Sequence, residues 1–247
     1  MNFTITTKPD PIELGREAAI KIAASINECI ASKESARIVL STGSSQFETL
    51  SALLEQDVDW SKVEIFHLDE YIGLPESHPA SFRKYLKERF ISRVNNLKDV
   101  HYVNGEINVT EHIAELTKSI RAAPVDIGVI GIGENAHIAF NDPPADFETD
   151  EAFIVVELDE KCKRQQVGEG WFPNIGSVPK TAITMTVKQI LACKTIISAV
   201  PHGAKLNAVR ESLISPVNPS VPASILKTHG DWHLFLDNAS AAGIFCL

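Results

Sequence analysis

The feature that most constrains the fold is a repeated alternation of short apolar runs with longer amphipathic segments. The apolar runs predict strands at Ala36–Leu40, 63–68, 125–133, 152–158, Thr195–Val200 and Trp232–Asp237. The segments between them predict helices at 10–33, 46–56, 79–94, 109–123, 186–192 and from Ala204 onward. Strands that alternate with helices and lack a strict two-residue repeat are typical of a parallel sheet covered on both faces.

The predicted fold class is therefore α/β: a doubly wound, mostly parallel, Rossmann-like sheet with helices on both faces. The chain has 247 residues, with no internal repeat and no obvious linker, so residues 1–247 are predicted to form a single domain.

Composition and charge exclude several classes of partner. The formal net charge of −9 argues against nucleic acid and against anionic membranes, although a local basic pocket can still bind an anion. No signal peptide and no apolar run long enough to span a bilayer are recognised. The four cysteines are far apart in the sequence, which predicts reduced packing residues in a cytoplasmic protein: Cys29, Cys162, Cys193 and Cys246.

Three predicted strands end in polar sequences, which read STGSS, DEY and GENAH. The carboxyl ends of parallel strands share one edge of a sheet, and ligands of open α/β sheets bind at that edge. We therefore expect the three polar sequences to lie close together.

The first polar sequence and a later lysine predict an anion site. Thr42, Gly43, Ser44 and Ser45 follow a strand and precede a helix, where backbone N–H groups attract negative charge. The spacing is not that of a nucleotide-binding P-loop, and a simple capped turn remains the alternative. Lys205 opens a later helix on the same edge and can neutralise a phosphate, unless it is an ordinary exposed lysine.

The other two polar sequences supply candidate acid–base groups. Asp69 and Glu70 follow a buried strand, and we expect one of them in the site and the other in a structural role. His137 follows the glycine turn at Gly133 and exchanges its proton near physiological pH. The alternatives are a solvated turn for the carboxylates and a packing role for the histidine. No Cys/His spacing predicts a metal, and no cofactor is predicted.

Five segments resemble the glucosamine-6-phosphate deaminase/isomerase family, which shares its fold with 6-phosphogluconolactonases. They read STGSS, HLDEYIGLPESHPASF, GIGENAHIAFNDP, VPKTAITMTV and GAKLNAV, and the resemblance extends over nearly the whole chain. The resemblance implies conversion of glucosamine 6-phosphate, or a close hexosamine 6-phosphate, and water to a ketohexose 6-phosphate and ammonia. The implied partner is thus a small phosphosugar.

The resemblance also implies roles for individual residues. The Thr42–Ser45 loop, Gly133 and Lys205 would bind substrate, Asp69 would move a proton between sugar carbons, and His137 would open the sugar ring. The family normally has D-G-H followed, five residues later, by a glutamate, whereas this chain has Asn135 before His137 and Asp142 in the glutamate position. Both are retained as candidate catalytic residues.

These departures leave three structural questions. Asp142 is one methylene shorter than glutamate, so its reach to His137 is in question, and Glu134 is an alternative partner for the imidazole. The family carries a phosphate-gripping arginine before VPK, which Arg164 would have to replace from a shifted register. The loop 167–180, rich in glycine and proline, is the candidate lid.

Two other functions stay open. The first is 6-phosphogluconolactone hydrolysis, although Tyr71 stands where lactonases carry an arginine after DE. The second is a non-catalytic sugar-phosphate-binding protein. The short C-terminal segment differs from that of hexameric members of the family, so we expect a monomer or a small homo-oligomer.

Overall fold

The computed structural model describes residues 3–244 of the chain. Its strands are β1 (Phe3–Lys8), β2 (Ala36–Leu40), β3 (Val63–His67), β4 (Asp69–Tyr71), β5 (Asp99–His101), β6 (Ile127–Val129), β7 (Phe153–Glu157), β8 (Thr181–Met185), β9 (Thr195–Val200) and β10 (Trp232–Asp237). Its α-helices are α1 (Pro11–Lys33), α2 (Phe47–Leu53), α3 (Phe82–Arg89), α4 (Val109–Arg121), α5 (Glu160–Gly168), α6 (Val187–Leu191) and α7 (Leu206–Ile214).

Seven strands form one parallel sheet in the order β1-β10-β9-β6-β2-β3-β5. Successive residues of the central strand β2 face opposite sides, so Ile38 and Leu40 pack in one core and Val39 in the other. The first core includes side chains of α1 and α2, and the second includes those of α4 and α7. The predicted fold class, a mostly parallel sheet with helices on both faces, is confirmed.

The first helix begins where the sequence predicts. The Asp10 side chain accepts hydrogen bonds from the backbone N–H groups of Ile12 and Glu13, and Pro11 occupies the first turn. The helix ends at Lys33 because Glu34 adopts a left-handed backbone with φ of 65°.

A small antiparallel sheet, ordered β4-β8-β7, was not predicted. Its strand β4 has only three residues, too few to show a periodic pattern. The edge strand β1 was also missed, and it pairs with β10. The strand predicted over 125–133 is shorter in the structure. Only Ile127–Val129, β6, forms a regular strand, and the chain leaves the sheet soon after it.

The edge of the sheet opposite the carboxyl ends is held by a buried carboxylate. The Asp126 side chain is 1% exposed and accepts from the Arg37 backbone N–H at 2.9 Å. Lys33 and Lys194 place their ammonium groups 2.7 and 3.0 Å from its two oxygens. Burial opposes ionisation, but these donors hold the pKa of Asp126 below its ordinary value.

Cys29, Cys162 and Cys193 are free thiols, whereas Cys246 lies outside the described residues. Over residues 3–244, the helices are all too short or too polar to cross a bilayer.

Candidate active site

One cavity lies at the carboxyl ends of β2, β3, β6 and β9. The chain runs from β2 outward in one direction to β3 and β5 and then returns to place β6 on the other side of β2. Such a reversal opens a crevice between neighbouring strand ends. The polar side chains and loops around this cavity include Thr42, Gly43, Ser44, Ser45, Asp69, Gly133, His137, Gln165, Glu169, Trp171 and Lys205.

The loop after β2 is built so that its backbone faces the cavity. Gly43 has a φ of 102°, a conformation that side chains with a Cβ rarely adopt. The Tyr85 hydroxyl donates to the Gly43 carbonyl at 2.8 Å and fixes the turn from below. The buried Gln46 amide donates to the Ser45 hydroxyl and to the Ala199 carbonyl, which ties the loop to β9.

Lys205 brings positive charge to this loop. Lys205 is only 7% exposed. Its ammonium group makes no hydrogen bond or ion pair with any described residue. Burial lowers the pKa of Lys205, and the carboxylates of Glu169 and Glu134 act in the opposite direction. A partly buried ammonium with no direct partner is a ready binding group for an anion.

Glu169 lies across the loop and was not predicted from the sequence. Its carboxylate accepts from the Ser44 hydroxyl at 3.1 Å, from the Gln165 amide at 2.7 Å and from the Trp171 indole N–H at 3.1 Å. The GEGW sequence was recognised only as part of a candidate lid, and nothing in it indicates that the carboxylate points at STGSS. The cavity has a volume of about 80 Å³, below the ~300–1,000 Å³ typical of ligand pockets, and Gln165, Glu169 and Trp171 line one side of it.

Asp69 and Glu70 point in opposite directions because successive residues of a strand alternate. Asp69 faces the cavity and is 6% exposed. Burial raises the pKa of Asp69 well above its ordinary value, and the negative charges of Glu70 and Asp142 raise it further. Glu70 instead accepts from the Ser81 hydroxyl at 2.8 Å and from the Arg83 backbone and guanidinium.

The position of His137 depends on two unusual backbone features. A Cβ at Gly133 would lie 2.3 Å from the imidazole ring, so only glycine lets the ring pack there. Ala136 and Ala139 have positive φ values of 65° and 51°, which turn the chain tightly on either side of the histidine.

Asp142 reaches His137 despite its shorter side chain. His137 Nδ1 and Asp142 Oδ1 are 3.1 Å apart, although the two groups are not aligned as a hydrogen bond. Burial opposes ionisation of Asp142, but the imidazole and the Asn135 amide beside it hold the pKa of Asp142 below its ordinary value. Both Asn135 and Asp142 lie behind the imidazole and do not line the cavity.

Asn135, a candidate catalytic residue, contacts Asp142 and the backbone of His137 rather than the imidazole ring. The Asn135 side-chain amide donates to Asp142 Oδ1 at 3.0 Å, and its oxygen accepts from the backbone N–H of His137 at 3.2 Å. It therefore orients the carboxylate and the turn and makes no hydrogen bond to the ring.

Two further alternatives are corrected. Glu134 is exposed, and Asp142 rather than Glu134 is the carboxylate beside the imidazole. Arg164 lines a neighbouring cleft with Lys161 and does not line the cavity, because α5 turns its side chain outward. The Thr42–Ser45 loop, called the anion loop below, thus has the ammonium group of Lys205 and the carboxylate of Glu169 beside it.

One group of side chains has the chemistry of a metal site. The ligand atoms of His137, Asp142 and Cys162 all lie within 4.8 Å of one another. Cys162 is the third residue of α5, so its distance from His137 in the sequence concealed this cluster.

Comparisons with known proteins agree with this architecture. A family described as glucosamine-6-phosphate isomerases/6-phosphogluconolactonase matches residues 9–234. The glucosamine-6-phosphate deaminase of Clostridium acetobutylicum is 31% identical over 245 residues, covering 96% of this chain and 98% of that protein. The corresponding protein of Streptococcus suis is 35% identical over 204 residues, covering 82% of this chain and 85% of that one.

Solved structures give the same fold. A monomeric glucosamine-6-phosphate deaminase superposes with a TM-score of 0.87 at 28% identity, covering 97% of this chain and 99% of that one. The 6-phosphogluconolactonase of Thermotoga maritima superposes with a TM-score of 0.79 at 18% identity, covering 95% and 99% of the two chains, which shows a shared fold alone. From the matched sequence and the superposed fold, the chain belongs to the glucosamine-6-phosphate isomerase/6-phosphogluconolactonase family.

Proposed function

We propose that the protein is an isomerase–deaminase that converts glucosamine 6-phosphate, or a close hexosamine 6-phosphate, and water to a ketohexose 6-phosphate and ammonia. The observation that carries the proposal is that Asp69, His137 and the anion loop with Lys205 line the same cavity. The deaminases at 31–35% identity support this reaction over lactone hydrolysis, since the lactonases share only the fold.

The anion loop and Lys205 would hold the phosphate, which takes no part in the chemistry. Backbone N–H groups of Thr42–Ser45 and the ammonium of Lys205 supply donors and charge for it. Binding energy from a remote phosphate can then orient the sugar carbons against the acid–base groups.

His137 would open the sugar ring. The imidazole takes the proton of the anomeric hydroxyl and delivers a proton to the ring oxygen, which yields the open-chain aldehyde. Asp142 stands 3.1 Å from Nδ1, so its negative charge stabilises the imidazolium while that proton is held. Asn135 keeps Asp142 in place through its amide.

Asp69 would carry out the isomerisation. Its carboxylate removes the proton from C2 of the open-chain sugar and returns it to C1, and water then releases ammonia from the resulting C2 imine. A base with a raised pKa is well matched to taking up a carbon-bound proton. Asp69 is only 6% exposed, which limits exchange of that proton with bulk water.

The decisive experiment is an ammonia-release assay on a panel of hexosamine 6-phosphates, with 6-phosphogluconolactone as the control substrate. The proposal expects ammonia from glucosamine 6-phosphate or an epimer, and no lactone hydrolysis above the background rate. Lactone hydrolysis without ammonia release would overturn it in favour of the lactonase. Binding of the phosphosugars without turnover would instead indicate a binding protein.

For the assembly, we propose a monomer or a small homo-oligomer. The superposed deaminase described as monomeric supports this, because it matches 97% of the chain. Light scattering coupled to gel filtration measures the molar mass directly, and a hexamer would contradict the proposal.

A further inference from the structure

The three side chains of the His137–Asp142–Cys162 cluster belong to two different elements. His137 and Asp142 follow β6, whereas Cys162 lies in the first turn of α5, where its backbone N–H donates to the Asp159 side chain at 2.6 Å. The side chains of His137 and Asp142 are 13% and 8% exposed, and Cys162 is 1% exposed. The cluster therefore lies behind the cavity wall, with the imidazole as its route to the cavity.

Two buried polar atoms of this cluster make no aligned hydrogen bond with any described residue. These are His137 Nδ1, which lies 3.1 Å from Asp142 Oδ1, and Asp142 Oδ2. Buried polar atoms without an aligned partner are rare and require an explanation. Both atoms are metal-ligand types, and the third atom beside them is a sulfur.

We propose that His137 Nδ1, Asp142 Oδ2 and Cys162 Sγ form a binding site for zinc or a similar borderline-soft divalent ion. Nitrogen, carboxylate and sulfur together favour zinc over magnesium or calcium, which prefer all-oxygen sites. Ligand atoms of a tetrahedral zinc site lie roughly 3.5 Å apart. The three ligand atoms now lie within 4.8 Å of one another, so they must move closer to share one ion.

Metal binding requires loss of the thiol proton. Burial raises the pKa of the Cys162 thiol, and the charges of Asp142 and Asp159 raise it further, so without a metal the thiol stays protonated. The step is Cys162–SH plus M²⁺ giving Cys162–S–M⁺ plus H⁺, with no change of oxidation state. Two negative ligands then neutralise the ion, and a fourth coordination position is left for water or a small ligand.

The site has a consequence for the proposed reaction. A metal held on Nδ1 replaces the interaction of Asp142 with an imidazolium, and His137 can no longer accept and release a proton freely. Bound zinc is therefore expected to inhibit turnover. This consequence depends on the proposed function, whereas binding of the metal does not.

The test uses Co²⁺ as a spectroscopic probe on the untagged, reduced full-length chain. Wild-type protein is expected to show a sulfur-to-cobalt charge-transfer band, with strong visible bands of four-coordinate cobalt, that stoichiometric Zn²⁺ abolishes. Cys162→Ser is expected to lose the charge-transfer band and to bind Zn²⁺ at least ~100-fold more weakly, more than the loss of an outer-shell partner causes. Circular dichroism and thermal unfolding establish that the variant is folded.

Cys29→Ser and Cys193→Ser are the matched controls, since each removes one thiol near Asp126, away from the cluster, and should leave the band unchanged. Asp142→Asn is expected to keep the band but to bind the metal at least tenfold more weakly. The absence of a charge-transfer band in wild type, or its persistence in Cys162→Ser, would overturn the metal site. Failure of the ammonia assay alone would overturn only the proposed reaction.

Discussion

At the scale of single residues, two adjacent carboxylates have opposite surroundings. Asp69 is buried against the cavity without a cation beside it, whereas Glu70 accepts hydrogen bonds from Ser81 and from Arg83 at both its backbone and its side chain. Burial raises the pKa of both groups, but only the pKa of Asp69 is raised well above its ordinary value. This difference supports the proposed role of Asp69 as a base, whereas Glu70 has the hydrogen bonds of a structural group.

Replacing Asp69 by asparagine is expected to lower kcat for ammonia release about 1,000-fold, because asparagine cannot take up the carbon-bound proton. The substitution keeps the size of the side chain, so binding of an open-chain alditol phosphate should change less than about threefold by titration calorimetry. An equal loss of turnover and binding would remove Asp69 from the proton-transfer step.

The raised pKa of Asp69 predicts an acid limb in the rate. The proposed base acts in its ionised form, so kcat falls as the pH falls through a pKa that lies above the ordinary value of about 3.9. The profile should be measured at saturating substrate, since a sugar phosphate itself titrates near pH ~6. A rate that stays constant down to pH ~4 would contradict this assignment.

At the scale of elements, α5 and the residues after it line one side of the cavity. Glu169 accepts from Ser44 on the anion loop, and Trp171 donates to the same carboxylate. A phosphate held by that loop and Lys205 must displace or tolerate this negative charge. In the proposed reaction, the carboxylate that holds Ser44 and Trp171 in place would therefore oppose phosphate binding.

Glu169→Gln is expected to lower KM for the phosphosugar about three- to tenfold, since it removes a negative charge near the phosphate while keeping a hydrogen-bond acceptor for Ser44. Glu134→Gln is the matched control: it removes an equal charge that also acts on Lys205, but from an exposed position. Steady-state kinetics on both variants give the comparison. A higher KM for Glu169→Gln would mean that the carboxylate binds substrate instead.

At the scale of the whole molecule, a cluster that stabilises the fold and the proposed catalytic groups lie at opposite edges of the sheet. Asp126 joins Lys33, Lys194 and the backbone of Arg37 at one edge, and the cavity lies at the other. Changes at the first edge should therefore affect the free energy of unfolding more than the reaction.

Asp126→Asn is expected to lower the free energy of unfolding by about 1–3 kcal/mol at pH 7, with kcat/KM for ammonia release unchanged within twofold. The magnitude is limited because Lys33 and Lys194 are 35% and 55% exposed and stay hydrated. The pKa of Asp126 is lowered in the fold, so its stabilisation is present above the unfolded pKa of about 3.9 and is lost as the pH falls through the folded pKa. Urea unfolding of the wild type and the variant at pH 7 and pH 3 tests both statements. An equal loss of unfolding free energy at the two pH values would contradict them.

The alternation of apolar and amphipathic segments was enough to predict the parallel sheet and the edge on which the polar residues meet. Apolar strands alternating with helices allow few arrangements, and the carboxyl ends of parallel strands share one edge whatever the detailed packing. That reasoning predicted Asp69, His137 and Lys205 near the Thr42–Ser45 loop. It also predicted that only one residue of the DE pair faces the site, and the family resemblance, rather than the pattern, indicated Asp69.

The contacts between groups at that edge could not be predicted from the sequence, because they depend on long-range packing. The 3.1 Å approach of Asp142 to His137 depends on the positive φ of Ala136 and Ala139, which no periodic pattern records. Glu169 and Cys162 reach the site because α5 packs across it, and this packing joins residues far apart in the chain. Periodicity reports which face of an element is buried, whereas distances between loops are fixed by long-range packing.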